Sequence, residues 1–336
     1  MPQKSIRQAL NEALKLEMRR DPRVVIMGED ETGGAGTGVD DAWGGAFGVT
    51  KGILGEFGRE RILDTPITES AFVGAAAGAA ATGLRPVAEI MFVDFLGVCL
   101  DQLINQAAKF RYMFGGRAVT PMVLRATFGA GGRSAAQHSQ ALYSVFTHVP
   151  GLKVVIPSNA YDAKGLLIQA IRDDDPVIFL EHKLMYDDKG EVPDGAYTVP
   201  FGEANVVREG KHATIIAIGR MVKMAETAAA NLAKQGIEVT IVDPRTTSPL
   251  DEDTILEMAE ETGRVVIVDE SNPRCSVASD ISSIIAEKAF DALEAPIVKV
   301  TAPHSPVPYA PSLEDVYVPS PGRIEAAVRK VMGKKG

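Results

Sequence analysis

Short β-branched runs alternate with helix-length stretches along almost the whole chain, and this alternation restricts the fold more than any other feature. The runs are VVIM from Val24, PVAEIMF from Pro86, PMVLRA from Pro121, KVVIP from Lys153 and VIFLE from Val177. Between them lie stretches of helical character at 70–83, 96–114, 138–148 and 161–172. Strands joined through helices pair in parallel, because each connection must cross the face of the sheet. The spacing predicts an α/β domain. Ahead of the alternation, 5–18 predicts an amphipathic helix with Ile6, Ala9, Leu10, Ala13, Leu14 and Met18 on one face, and Ser5 with Gln8 as its capping box.

Near Lys183 the periodicity stops, and MYDDKGEVPDGAYTVPFG reads as a surface linker. The alternation then resumes: ATIIAIG from Ala213, a helix over 221–235, IEVTIVD from Ile237, a helix near 251–261, VVIVDE from Val265 and a helix over 277–290. With 336 residues, 46% of them hydrophobic, the chain can build two cores. The expected fold is therefore α/β with two domains, each a mostly parallel sheet flanked by helices. The expected division is 1–182, a linker over 183–212, and 213–336. From Thr301, TAPHSPVPYAPSLEDVYVPSPG packs six prolines together and predicts an extended run over a surface.

Thirty-five Lys and Arg against 44 Asp and Glu leave a net charge of −9, which disfavours a nucleic-acid partner. The apolar stretch at 71–84 falls short of the roughly 20 residues that span a bilayer, so no membrane role is expected. The amino terminus lacks the apolar run of a signal peptide, and the expected location is cytoplasmic. Cys99 and Cys275 have no CxxC spacing and read as two reduced thiols.

Eleven glycines fall in 28–58, which invites a test for phosphate cradling. The test fails. Gly33 and Gly38 have Walker spacing, but Val39 and Asp40 stand where Lys and Ser or Thr are needed, and no GxGxxG opens a helix. A stand-alone NTPase or dinucleotide-dependent dehydrogenase is disfavoured on these grounds. Trp43 and Phe47 in this loop read as apolar anchors that contact a partner, the other reading being a solvated surface loop.

Three positions carry candidate chemistry, each with an ordinary alternative. Glu69 follows a Pro turn at the start of a helix; it either complements the helix dipole or, buried among Ala and Gly, shares a proton with a ring nitrogen of a heterocycle. Asp94 and Phe95 stand where a strand gives way to a helix, the place α/β sheets put their clefts. Phe95 there either stacks on a flat ring or fills the core. His138, at the expected helix start after TFGAGGRSAAQ, is the best catalytic candidate among five histidines, against a purely structural role. His148 reads as a cap at the other end of that helix.

Taken in order, GED at Gly28, DTPITE at Asp64, GLRPVAEI at Gly83, DQLINQAAKFRYM at Asp101, AAQHSQ at Ala135, PSNAYDAKGLL at Pro157, AIRDDDPV at Ala170 and DPRTTSPLD at Asp243 resemble the beta subunits of thiamine-diphosphate-dependent 2-oxo acid dehydrogenases. The resemblance covers nearly the whole chain. It implies a transketolase-like pyrimidine-binding domain followed by a transketolase C-terminal-like domain. Within the family, DDAWGGAFGVTKGI, RYMFGG and TAPHSPVPYAP resemble the branch that acts on acetoin, with the pyruvate and branched-chain enzymes as neighbours. Thr68 departs from the Ser or Ala usual there, and the branched-chain branch tends to Tyr at the place of Phe95.

By this resemblance Glu69 matches the glutamate that bonds N1′ of the aminopyrimidine, favouring the imino tautomer that removes the thiazolium C2 proton. Met91 and Phe95 match side chains packed on that ring, and His138 matches the active-site histidine. A structural potassium site of mostly backbone carbonyls falls on Met122, Ala170, Ile171, Asp173 and Asp175, positions that otherwise read as a plain acidic helix terminus. The family holds Mg2+ and the diphosphate through a Gly-Asp-Gly motif that this sequence lacks. The resemblance thus implies an alpha subunit that supplies the diphosphate half, an alpha2-beta2 heterotetramer, and a lipoyl transacylase as acetyl acceptor. Two other readings stand beside it: a non-catalytic docking subunit, and a self-sufficient transketolase-like enzyme.

Overall fold

The computed structural model describes residues 1–33, 41 and 43–333. Two compact units emerge, the first of Met1–Phe128 and Val145–Phe201, the second of Gly129–Ser144 and Gly202–Gly336.

Up to Glu191 the chain runs β1 (Gln3–Ser5), α1 (Ile6–Arg20), β2 (Val24–Gly28), α2 (Leu54–Phe57), β3 (Ile62–Asp64), α3 (Glu69–Ala81), β4 (Arg85–Phe92), α4 (Phe110–Met113), β5 (Val123–Phe128), α5 (Tyr143–Thr147), β6 (Lys153–Val155), α6 (Ala160–Arg172), β7 (Val177–His182) and β8 (Lys189–Glu191), and all but the start of α5 belong to the first unit. Strands β6, β7, β5, β4, β2 and β3 lie side by side in that order, all parallel. The strands β2, β5 and β7 are buried on both faces, as a sheet covered by helices requires. The first helix matches its sequence signature. Ser5 Oγ accepts from Gln8 N at 3.2 Å while Ser5 N donates to Gln8 Oε1 at 2.9 Å, and Ile6, Ala9, Leu10, Ala13, Leu14 and Met18 are buried.

The structure departs from the sequence expectation in several places. No continuous helix spans 96–114: a 3-10 helix (Val93–Cys99) and a π-helix (Gln102–Ala107) precede the short α4. Val93, Leu96 and Cys99 are the buried residues, three apart, which matches three residues per turn rather than 3.6. The stretch expected as a linker also contributes to a core. Met185, Tyr186, Val192 and Val199 are buried in the first unit, and β8 pairs antiparallel with β1.

The second unit holds β9 (Asn205–Arg208), β10 (Ala213–Ala217), α7 (Met221–Ala233), β11 (Val239–Asp243), β12 (Thr246–Ser248), α8 (Glu252–Thr262), β13 (Val265–Asp269), α9 (Val277–Lys288), β14 (Val298–Thr301), α10 (Pro311–Tyr317) and α11 (Pro321–Val331). Its sheet has the order β14-β13-β10-β11-β9, parallel except for β9. The proline-rich tail is not extended throughout. Pro311 and Pro321 each open a helix, where a missing N–H costs nothing and the fixed φ suits the first turn. No helix among the described residues is long and apolar enough to cross a membrane.

Candidate active site

Because β2, β3 and β4 are parallel and in register, Gly28, Asp64 and Glu89 stand level across the sheet. The segments after these strands all leave from its carboxyl edge, where α/β sheets open their clefts. Glu69 is the first residue of α3, half-buried, after Thr68, which makes no side-chain capping bond. Just past the end of β2, Glu29 is buried, and its pKa is pushed up to about 7, first by loss of water, then by the charges of Glu69 and Asp30. Burial also pushes the Cys99 thiol up to about 12, with Glu69 adding to the effect. Glu69 therefore acts on groups from two other segments. The sequence expectation did not include Glu29, whose one signal is an acid directly after an apolar strand.

The next strand brings Met91 and Phe95. The β4–β5 ladder shifts register between Ile90 and Phe92, leaving Met91 without an opposite residue, a bulge that re-aims side chains. Thr127 Oγ1 donates to Met91 O at 2.5 Å and fixes the kink. Phe95 follows on the 3-10 helix, edge-on to Phe92 at 5.6 Å. Phe92 meets Phe47 at 5.8 Å, and Phe47 stacks on Tyr186 at 5.3 Å. Met91 and Phe95 are both half-buried. Phe47 is half-buried and packs within this unit, whereas Trp43 is 49% exposed. The Walker-spaced Gly38, Val39 and Asp40 lie outside the described residues.

Beneath this edge lies a buried ionic cluster that the sequence pattern does not announce. Arg125 donates to Glu89 Oε2 at 2.6 Å and to both oxygens of Glu181 at 2.6 and 2.7 Å, and Tyr186 OH also donates to Glu181 at 2.6 Å. Glu31, bonded by Thr50 Oγ1 at 2.5 Å, is pushed well up by burial and by Glu89. At Gly45, φ is +74° and an added Cβ would lie 2.4 Å from Glu89 Oε1, so only glycine lets the loop come this close. The one sequence signal is three charged residues inside otherwise apolar strands.

His138 belongs to the second unit. It is half-buried in a turn, not at a helix start, since α5 begins only at Tyr143. The backbone explains the difference: Arg133 and Ala135 have φ of +58° and +59°, incompatible with a right-handed helix, and Gly129 N bonds Gln140 O at 3.2 Å to close a loop.

The five positions marked for potassium are already served by other groups. Arg85 Nη1 donates to the carbonyls of Ile171 and Asp173 at 3.0 and 2.8 Å, Lys153 Nζ bonds the Asp173 carboxylate at 2.7 Å, and Arg111 pairs with Asp175. Met122 O accepts from Val177 N at 3.0 Å, and Ala170 O from Asp173 N at 3.3 Å. A guanidinium thus takes the carbonyls of two of the five residues. Each of these carbonyl oxygens has a second lone pair beyond the donor it already accepts.

Residues 2–189 match the transketolase pyrimidine-binding domain and residues 202–324 the transketolase C-terminal domain. The chain is 63% identical over 329 residues to "Acetoin:2,6-dichlorophenolindophenol oxidoreductase subunit beta" of Cupriavidus necator, covering 98% of this chain and 97% of that protein. The protein of the same description from Bacillus subtilis is 56% identical, with 98% and 97% covered. The chain belongs to the beta-subunit family of thiamine-diphosphate-dependent dehydrogenases. "Pyruvate dehydrogenase E1 component subunit beta" of Rickettsia felis is more distant within it, at 44% identity with 97% and 98% covered. A solved structure described as "Split gene transketolase, inactive beta4 tetramer" superposes with a TM-score of 0.77 over 99% of both chains at 24% identity, a likeness of fold.

Proposed function

We propose that this chain is the beta subunit of an acetoin dehydrogenase, which, with an alpha subunit in an alpha2-beta2 assembly, cleaves acetoin and passes the acetyl unit to a lipoyl transacylase. Two relatives named for acetoin, at 63% and 56% identity, support this substrate over the pyruvate and 2-oxoisovalerate named for relatives at 44%. In the reaction the C–C bond of acetoin breaks and acetaldehyde leaves. The acetyl unit forms a thioester with one lipoyl sulfur while the lipoyl disulfide takes up the two electrons. Thiamine diphosphate, when bound, supplies a carbon centre acidic enough to become a nucleophile toward the carbonyl.

The residues at the carboxyl edge fit the aminopyrimidine half of that cofactor. They offer a half-buried acid, and α3 packs against the 3-10 helix that carries Phe95. Glu69 would hold a proton at N1′, and Met91 and Phe95 would cover the ring and exclude water. Glu29, buried just past β2 with its pKa pushed up to about 7, is held partly as the neutral acid, which lowers the negative charge gathered at this edge. His138 would donate to the substrate oxygen. Mg2+ and the diphosphate would be held by the alpha subunit.

The observation that carries this reading is the placement of Glu69 at the carboxyl edge, as the first residue of a helix packed against the 3-10 helix that bears Phe95. Glu69→Gln keeps the shape and removes the acid. Mixed with the alpha subunit, the variant should lose about 100-fold or more in acetoin-dependent dye reduction, the scale of a lost general acid–base group. Unchanged reduction would favour the docking-subunit reading instead.

A further inference from the structure

The histidine loop is held from below by carboxylates, and one is placed to set its shape. Between Gly129 and Gln140, whose backbone bond closes the loop at 3.2 Å, Gly131 N donates to Glu314 Oε1 at 2.7 Å and Arg133 N to Glu314 Oε2 at 3.0 Å. Two backbone N–H groups turned to one carboxylate form an anion-binding nest. The turn depends on left-handed backbone at Gly131, Arg133 and Ala135, with φ of +100°, +58° and +59°. Such backbone in non-glycine residues persists only where the surroundings over-determine it. Glu314 is fully buried on α10. Its helix is itself anchored: Tyr317 packs with Ala130, Ala302 and Val307, and Asn272 Nδ2 reaches the Tyr317 hydroxyl at 3.2 Å.

The other limb of the loop ends in a second buried acid. Tyr143 OH donates to Asp269, whose carboxylate also accepts from Ser271 N at 2.7 Å and Ala278 N at 3.2 Å. Ala130 N adds a bond to Glu270 at 3.2 Å. The Arg133 guanidinium bonds Glu314 at 2.8 Å and the exposed Asp315 at 2.6 Å, tightening the nest from outside.

We infer that Glu314 is a positioning residue for the reaction: its carboxylate, through the amides of Gly131 and Arg133, fixes the loop that presents His138. The inference rests on the proposed role of His138 and deepens it. It also gives α10 and the proline-rich segment before it a task, which is to form the floor of that loop. A carboxylate is needed because both amides donate. An amide side chain would turn its NH2 group toward one of them and leave that N–H unpaired.

The test uses the full chain assembled with its alpha subunit and compares His138→Asn, Glu314→Gln, the double variant and Asp315→Asn. Glu314→Gln should lower kcat by about 10- to 100-fold, the scale of an ångström-level misplacement. KM for acetoin and calorimetric affinity for thiamine diphosphate should stay within about 2-fold, and the double variant should be no slower than His138→Asn alone. Asp315→Asn, which removes only the exposed partner of Arg133, should remain within about 2-fold of the parent. Tyr143→Phe loosens the opposite limb and should show the same non-additivity with His138→Asn, which reads the coupling even if Glu314→Gln does not fold. Parent-like kcat in Glu314→Gln alongside a slow His138→Asn would overturn the inference and leave the role of His138 standing, as would losses that multiply in the double variant. Parent-like turnover by His138→Asn would overturn the role of the histidine itself.

Discussion

Glu29 keeps a proton near neutral pH that an exposed glutamate has already lost. With its pKa at about 7 in the folded chain against 4.5 ordinarily, the native state binds more protons than the unfolded state between those values. Its contribution to stability therefore declines as pH rises from about 4.5 to 7 and is level above that. Urea melts at pH 5 and pH 8 should show a smaller loss for Glu29→Gln than for the parent chain; equal losses would mean that Glu29 titrates normally. Cys99 makes a second residue-scale prediction. Buried and pushed up to about 12, it should resist iodoacetamide at pH 8, while the exposed Cys275 is alkylated, as peptide mass mapping can read. Labelling of Cys99 at the rate of Cys275 would contradict its burial. The placement of Glu69 and Phe95 is legible from local sequence, one after a Pro turn and one after an apolar strand. The role of Glu29 is not, because its proton affinity comes from burial beside a carboxylate forty residues further along the chain.

At the scale of elements, long strands and amphipathic helices are readable and irregular segments are not. Helix α1 announces itself by its capping box and one apolar face, and Ser5→Ala should cost about 1 kcal/mol in a thermal melt. The segment after β4 has enough apolar residues for a helix, but their three-residue spacing reads as 3-10 only once the buried set is known. The same blindness hides α10, because a proline marks a helix start only when the residues after it are helical, and it misplaces the start of α5. Nothing in the TFGAGGRSAAQ stretch shows that its amides are taken by Glu270 and Glu314 from far along the chain. Buried charges are equally invisible to periodicity. Arg125→Met leaves Glu89 and Glu181 buried without their cation and should lower unfolding free energy by about 3–5 kcal/mol in urea titration. A loss under about 1 kcal/mol would mean that the carboxylates find other partners or protonate at little cost.

For the whole molecule, two α/β units are legible because strand and helix periods alternate twice along the chain, and the two matched family domains follow that division. What the alternation could not convey is that a short stretch, 129–144, leaves the first sheet and joins the second unit. The central claim is that this chain offers an acid and an apolar wall to an aminopyrimidine and relies on a different subunit for a metal-bound diphosphate. Calorimetric titration of thiamine diphosphate with Mg2+ into this chain, into the alpha subunit and into their mixture tests that claim most directly. The account predicts tight, saturable binding by the mixture alone, abolished by a chelator and weakened by Glu69→Gln. Tight stoichiometric binding of cofactor and metal by this chain on its own would contradict it.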